Sequence, residues 1–121
     1  MWQFAQSSGD LTTADGTVYK GGWAGHSVGR DNPADENIKD IGPIPEGLYT
    51  IGDPYENPHT GPYTMDLTPD PSNEMFGRSL FRIHGAAYKH PELSSDGCII
   101  EPRDVREKIH NSGDNQIRVV A

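Results

Sequence analysis

Short stretches of alternating apolar and polar residues recur along this chain, and segments rich in glycine or proline separate them. Alternation with a period of two is typical of strands that bury one face. In the first such stretch, Trp2 and Phe4 fall on one face and Gln3 and Ala5 on the other. By the same pattern we predict further strands over residues 11–13, 17–20, 48–51, 63–67, 79–84, 98–100 and 116–120.

One stretch near the C-terminus has helical spacing instead. Val105 and Ile109 lie four residues apart and give a short apolar face, and the Asn-Ser-Gly of residues 111–113 is typical of a helix end. We therefore predict one short helix over about residues 102–110. With no repeat or linker visible, we expect a single domain over residues 1–121. It should be mostly β, a compact β-sandwich or partial barrel.

The net charge and composition of the chain disfavour some classes of binding partner. The chain has 121 residues and a formal net charge of −8, which disfavours nucleic acid or an anionic membrane surface as a main partner. No stretch approaches the roughly 20 apolar residues of a membrane-spanning helix. The first residues are already strand-like, so no cleavable signal peptide is predicted. We expect a monomer, and its single cysteine excludes an internal disulfide.

Two side chains stand out as candidates for chemistry. Cys98 is the only cysteine, and His84 ends an alternating stretch in which Phe81 and Ile83 should face the core and Arg82 and His84 a cleft. The thiolate is the nucleophilic form of cysteine, and an adjacent imidazole can accept its proton. We therefore predict a thiolate–imidazolium pair, with Cys98 alkylated well below the ordinary thiol pKa of roughly 8.5.

The neighbouring small residues have candidate roles in the same site. Gly85 lets the backbone turn or leaves room for a substrate. Gly97 and Cys98 are candidates to offer backbone N–H groups to a developing oxyanion. Ser95 either shapes the turn through local hydrogen bonds or contributes directly to the site. A backbone carbonyl near Gly97 or Ser95 is the predicted partner that orients the imidazole.

The pattern of these motifs resembles a known family. The Ile-His-Gly of residues 83–85 and the Ser-Asp-Gly-Cys-Ile of residues 95–99 resemble the signature of the L,D-transpeptidase (YkuD-like) catalytic domain. The Gly-Pro-Ile-Pro-Glu-Gly-Leu-Tyr of residues 42–49 is similar to the family's upstream strand entry. Together with the Arg-Ser-Leu-Phe-Arg-Ile-His-Gly of residues 78–85, it is closest in pattern to the type VI secretion L,D-transpeptidase effectors.

The resemblance implies an activity on peptidoglycan stem peptides. Cys98 would attack the carbonyl between the L-centre of a meso-diaminopimelate-like residue and a terminal D-alanine, with His84 as base and then acid. The acceptor is left open: water, a D-amino acid or a second stem. The resemblance implies no cofactor. It also implies delivery to the periplasm of a target cell as an antibacterial effector, for which an immunity protein is an expected partner.

The chain departs from the family pattern at two positions beside the cysteine. Many members carry an arginine after the Cys-Ile pair that can meet a substrate carboxylate, but here that position is Ile100. Arg103 is a candidate replacement, and Arg82 a candidate carboxylate ligand on the His84 face. Asp96 stands where His or Lys is common, and a like charge opposes thiolate formation. Substrate-contacting candidates are Arg82, Gly85, Tyr88 and Arg103.

Other classes of function remain open from the residues alone. A non-catalytic peptidoglycan-binding or phage-tail module on the same fold is the main alternative. An intracellular cysteine peptidase, which would cleave all-L peptides, is another. A metal site is not predicted, because structural zinc wants four ligands in close-spaced pairs and this chain has one cysteine and scattered histidines.

Overall fold

The computed structural model describes residues 1–86 and 95–121, and in them the chain is mostly strand with one short helix near the C-terminus. This confirms the predicted fold class. Two single 3-10 turns, Ser27–Gly29 and Pro33–Asp35, interrupt the long loop after the fourth strand. The regular elements are β1 (Trp2–Ala5), β2 (Leu11–Thr12), β3 (Val18–Tyr19), β4 (Trp23–Ala24), β5 (Gly47–Ile51), β6 (Tyr55–Asn57), β7 (Gly61–Pro69), β8 (Arg82–His84), β9 (Ile99–Ile100), α1 (Arg103–Asn111) and β10 (Gln116–Val120).

The strands lie side by side in the order β3-β2-β1-β10-β5-β7-β8-β9-β4, with β6 beside β7. Two of these neighbouring pairs are parallel, and they hold different parts of the chain together. The pair β1–β10 joins the two chain ends in the middle of the order, with Phe4 opposite Val119. The pair β8–β9, with Ile83 opposite Ile99, holds the two segments that carry His84 and Cys98.

The predicted alternation of buried and exposed positions holds most clearly in β1 and β10. Trp2 and Phe4 are buried while Gln3 is exposed, and Ile83 is buried at the middle of β8. Burying one such large apolar side chain contributes about 1.5–3 kcal/mol to folding. The helix α1 buries its apolar face as predicted. The core is formed by Trp2, Phe4, Leu11, Ala24, Ile44, Tyr49, Ile51, Met65, Leu67, Phe81, Ile83, Ile99, Val105, Ile109, Ile117 and Val119.

The structure differs from the sequence prediction at three elements. The strand predicted over residues 79–84 begins only at Arg82, because Leu80 has a φ of 64° and left-handed backbone cannot continue a strand. The short strand β6 lies in a segment predicted to be loop, where it pairs with β7. The short strand β4 lies in a glycine-rich segment predicted to be irregular, where it pairs with β9.

Among the described residues, no helix has both the length and the apolar content needed to cross a membrane.

Candidate active site

His84 and Cys98 line the same cavity, which has a volume of about 1000 Å³. The cavity opens beside the ends of β8 and β9, so both side chains are delivered by the parallel pair. The described residues that line it are Lys39, Asp40, Pro58, His59, Thr60, Gly61, Pro62, Gly77, Arg78, Ser79, Leu80, Phe81, Arg82, His84, Gly85, Ala86, Asp96, Cys98 and Arg106.

The strand register explains how two residues fourteen positions apart come together. Ile83 is opposite Ile99 and His84 is opposite Ile100 in the parallel pair. Continued by one residue, this register sets Cys98 beside Arg82, on the same face of the sheet as His84. Strands lie about 4.8 Å apart and rise about 3.3 Å per residue, so the Cα atoms of His84 and Cys98 are separated by roughly 8 Å. Among the described residues no hydrogen bond joins the two side chains, and the thiol of Cys98 lies 3.9 Å from the carbonyl oxygen of Leu80.

The His84 ring is held in one orientation by its own strand end. The side chain is buried, with 5 % of its surface exposed, and Nδ1 lies 2.9 Å from the carbonyl oxygen of Gly85. A carbonyl oxygen only accepts, so Nδ1 carries the proton and Nε2 the lone pair. The orienting carbonyl was predicted to come from Gly97 or Ser95. That prediction is wrong: the carbonyl belongs to Gly85, because the ring turns back along β8.

The electrostatic surroundings favour a neutral imidazole. Burial lowers the pKa of His84 below its ordinary value, and the charges of Arg106 and Arg82 lower it further. The hydrogen bond to Gly85 and the charge of Asp96 act in the opposite direction. His84 is therefore a base that stays unprotonated to more acidic pH than a free histidine.

The surroundings of Cys98 favour the neutral thiol. Burial raises the pKa of the Cys98 thiol above its ordinary value, and Asp96 raises it further. The backbone N–H of Arg82 and the charges of Arg82 and Arg78 oppose that rise. Burial thus disfavours the charged form of both members of the predicted thiolate–imidazolium pair.

The turn that carries Cys98 is fixed by Ser95, which is fully buried. Its hydroxyl accepts hydrogen bonds from the backbone N–H of Gly25 at 3.0 Å and of Gly97 at 3.1 Å. The same hydroxyl donates to the carbonyl of Cys98 at 2.6 Å. Ser95 thus has the predicted turn-shaping role, and it also ties the cysteine turn to the loop after β4.

Gly97 does not have the predicted role of oxyanion donor, because its N–H is already donated to Ser95. It is required for a different reason: its φ is 130°, and an added β-carbon would lie 2.8 Å from the ring of Phe81. The N–H of Cys98 has no acceptor among the described residues and remains the candidate oxyanion donor.

Two predicted substrate-contacting residues line the cavity. Arg82 is partly committed, since its Nε lies 3.2 Å from Oδ1 of Asp66 and 3.3 Å from the hydroxyl of Tyr55. Gly85 lies against a guanidinium: a β-carbon added there would be 2.7 Å from Nη2 of Arg106. The lack of a side chain at Gly85 therefore makes room for Arg106. Contact of either residue with a substrate stays a prediction.

Of the other two predicted substrate-contacting residues, the structure describes only Arg103. Arg103 is exposed on α1, where its Nε bonds Glu107 at 2.9 Å and its guanidinium stacks over the ring of Tyr63. It is not among the residues that line the cavity. Tyr88 lies outside the described residues.

Sequence reasoning missed two buried arginines of the cavity, Arg78 and Arg106. Arg78 donates to four backbone carbonyls, one of them that of Asp96 at 3.2 Å, and so joins the loop before β5 to the cysteine turn. Arg106 could have been noticed as a charged residue next to the apolar Val105 of α1. Nothing in the local pattern singles out Arg78.

No group of three or more His, Cys, Asp or Glu side chains suited to hold a metal ion occurs within residues 1–86 and 95–121.

Comparison with known proteins identifies the family. No curated protein matches this chain, and no solved structure matches it. The family model of the Tlde1 domain matches residues 19–120, which includes His84, Ser95, Cys98 and all of α1. The chain therefore belongs to the Tlde1 domain family, a family of type VI secretion effectors.

Proposed function

We propose that this protein is a cysteine-dependent acyl-transfer enzyme acting on peptidoglycan stem peptides, an L,D-carboxypeptidase or L,D-transpeptidase. The observation that carries the proposal is the shared cavity of His84 and Cys98, in which the imidazole has its Nε2 lone pair left for proton transfer. Membership of a type VI secretion effector family supports an antibacterial target such as the cell wall.

The chemical step begins from a neutral thiol and a neutral imidazole. The sulfur of Cys98 forms a bond to the carbonyl carbon between the L-centre of the third stem residue and the terminal D-alanine. As it attacks, the thiol proton passes to Nε2 of His84. In this proposal the backbone N–H of Cys98 donates to the resulting oxyanion.

Collapse of the tetrahedral intermediate breaks the bond to the D-alanine nitrogen. The proton held by His84 goes to that amine, and D-alanine leaves while the rest of the stem stays on Cys98 as a thioester. The acceptor then takes the acyl group and restores the thiol: water gives a trimmed stem, a D-amino acid gives exchange, and a second stem gives a cross-link.

The biological setting of the proposal follows from the family. We propose that residues 1–121 form a single catalytic domain that acts in the periplasm of a target cell after delivery. The producing cell then needs a cognate immunity protein. Neither formation of the thioester nor its transfer to the acceptor requires a cofactor.

The test is product identification. A purified disaccharide tetrapeptide is incubated with the wild-type protein and with Cys98→Ala, and the products are identified by mass spectrometry. We expect the wild type to release D-alanine or to replace it with added D-methionine, and Cys98→Ala to leave the substrate intact. Circular dichroism of both proteins serves as the control for folding.

The same assay separates the alternatives. Binding of the tetrapeptide with identical, unreacted products from both proteins would favour a non-catalytic peptidoglycan-binding module. Cleavage of an all-L tetrapeptide in preference to the stem peptide would favour an ordinary cysteine peptidase. Either result would contradict the proposed function.

A further inference from the structure

Arg106 is a buried cation without an acidic partner in the described part of the chain. Its side chain is 7 % exposed. Nε donates to the carbonyl of Glu101 at 3.0 Å, and Nη1 donates to the carbonyls of Pro62 and Tyr63 at 2.9 and 3.0 Å. Three neutral carbonyls hold the guanidinium in place and leave its charge uncompensated, which is costly unless an anion completes the site.

The third nitrogen of Arg106 has a different environment. Nη2 has no acceptor among the described residues, and it lies against Gly85, where a β-carbon would be only 2.7 Å away. Gly85 follows His84 directly, and Arg106, His84 and Gly85 all line the cavity. The N–H bonds of Nη2 are therefore available beside the catalytic histidine.

The other arginines of the cavity are less suited to bind an anion. Both Nη groups of Arg78 are engaged by backbone carbonyls. Arg82 is already paired with the carboxylate of Asp66. The described residues of the lining are nonetheless basic, with one lysine and three arginines against Asp40 and Asp96, although the whole chain has a net charge of −8. Such a cleft attracts anionic ligands.

We propose that Nη2 of Arg106 binds the free terminal carboxylate of the stem peptide, on the leaving-group side of the scissile bond. This rests on the proposed function, because His84 protonates the leaving amine and only one carbon separates that nitrogen from the terminal carboxylate. The enzyme would then be specific for the last residue of a stem. An incoming D-amino acid would use the same site as acceptor.

The test compares two substrates that differ at one group. The tetrapeptide L-Ala-γ-D-Glu-meso-diaminopimelate-D-Ala is used as the C-terminal acid and as the C-terminal amide. The rate of release of the last residue, as kcat/KM, is measured for wild type, Arg106→Lys, Gly85→Ala and Lys108→Gln. Gly85→Ala displaces Nη2 without removing the arginine. Lys108→Gln removes an exposed charge from the same helix.

We expect the wild type to prefer the acid by at least about tenfold, since a hydrogen bond between two charged groups is lost with the amide. Arg106→Lys and Gly85→Ala should lower the rate with the acid more than the rate with the amide, so that the ratio of the two kcat/KM values falls toward one. Lys108→Gln should keep the wild-type preference. Equal wild-type rates, or equal losses on both substrates in the two cavity variants, would overturn the proposal and assign Arg106 a structural role only.

A binding measurement separates this proposal from the proposed reaction. Cys98→Ala is titrated with the acid and the amide by calorimetry. Preferential binding of the acid, lost on adding Arg106→Lys, supports the carboxylate site even if the wild type turns over neither peptide. Absence of that preference counts against the site even if turnover is observed.

Discussion

The Nδ1 atom of His84 lies 2.9 Å from the carbonyl oxygen of Gly85, the next residue along the chain. This contact fixes the tautomer, because the carbonyl requires a proton on Nδ1 and so leaves the lone pair on Nε2. In many catalytic triads a carboxylate orients the base, whereas here a neutral backbone carbonyl does so. A neutral partner stabilises an imidazolium less than a carboxylate would, so the hydrogen bond to Gly85 only partly offsets the burial that lowers the pKa of His84.

The pH dependence of activity follows from these pKa directions. The reactive form holds a neutral imidazole and a neutral thiol. The acid limb of kcat/KM should therefore have its midpoint below the ordinary histidine value of 6.5, and the alkaline limb above the ordinary thiol pKa of roughly 8.5. Rates of D-alanine release between pH 4.5 and 10 measure both limbs.

Asp96→Asn is the matched variant for this profile. Asp96 raises the pKa of both His84 and Cys98, so its removal should move both limbs to lower pH. A wild-type acid limb well above pH 6.5, or limbs that move apart in the variant, would contradict the assigned electrostatics.

The reactivity of Cys98 toward an alkylating agent gives a second prediction. Because burial raises the thiol pKa, the rate of reaction with iodoacetamide should rise with a midpoint above the ordinary thiol pKa of roughly 8.5. His84→Ala should leave this midpoint nearly unchanged while lowering kcat/KM for the stem peptide by at least about 100-fold. N-acetylcysteine is the reference thiol. A midpoint below pH 7 that is lost in His84→Ala would contradict this prediction and support a pre-formed thiolate–imidazolium pair.

Ser95→Ala tests the turn that carries the cysteine. The substitution leaves the N–H groups of Gly25 and Gly97 and the carbonyl of Cys98 without their buried partner. We expect a loss of about 1–3 kcal/mol in the free energy of unfolding, and a fall in activity of at least about tenfold because Cys98 is no longer held. Urea denaturation measures the first effect. Ser72→Ala, at an exposed serine, is the control and should change little. A wild-type unfolding curve for Ser95→Ala would refute the role given to its hydroxyl.

The buried carboxyl group of Glu101 should make the free energy of unfolding depend on pH. It is 1 % exposed, neither carboxylate oxygen has a partner among the described residues, and burial raises its pKa from 4.5 to about 8. The folded protein thus holds a proton that the unfolded chain loses above pH 4.5. Stability from this group is complete below pH 4.5 and is lost as the pH rises to about 8, by at most about 1.4 kcal/mol per pH unit.

Glu101→Gln should remove that dependence, because an amide does not titrate. The measurement is the free energy of unfolding of both proteins by urea at pH 5, 6.5 and 8. The advantage of the variant over wild type should grow with pH. Glu56→Gln, at an exposed position, should run parallel to wild type. Parallel curves for Glu101→Gln as well would show that Glu101 is ionised or solvated in the folded state.

Local pattern was enough to predict most of the strands and the side chains that line the cavity at the end of β8. Trp2 and Phe4 alternate with polar residues because one face of β1 is buried, and the same logic turned His84 toward the cavity. Residue type and spacing carry that information. The strand β6 was not predictable, since it is stabilised by pairing with β7 rather than by its own alternation.

The groups that tune the site depend on contacts between distant segments, which no window of sequence contains. Arg106 reaches carbonyls more than forty residues earlier in the chain, and Arg78 reaches back to the loop before β5. The direction of the Cys98 pKa was mispredicted for the same reason. Proximity to a histidine was inferred from the motif, whereas the extent of burial became visible only in the fold.

The most direct test of the account is the rate of D-alanine release from a disaccharide tetrapeptide by wild type, Cys98→Ala and His84→Ala at pH 7.5, each shown to be folded by its urea denaturation curve. We expect measurable release by the wild type and a rate at least about 100-fold lower in both variants. Release by Cys98→Ala at more than a tenth of the wild-type rate would contradict it.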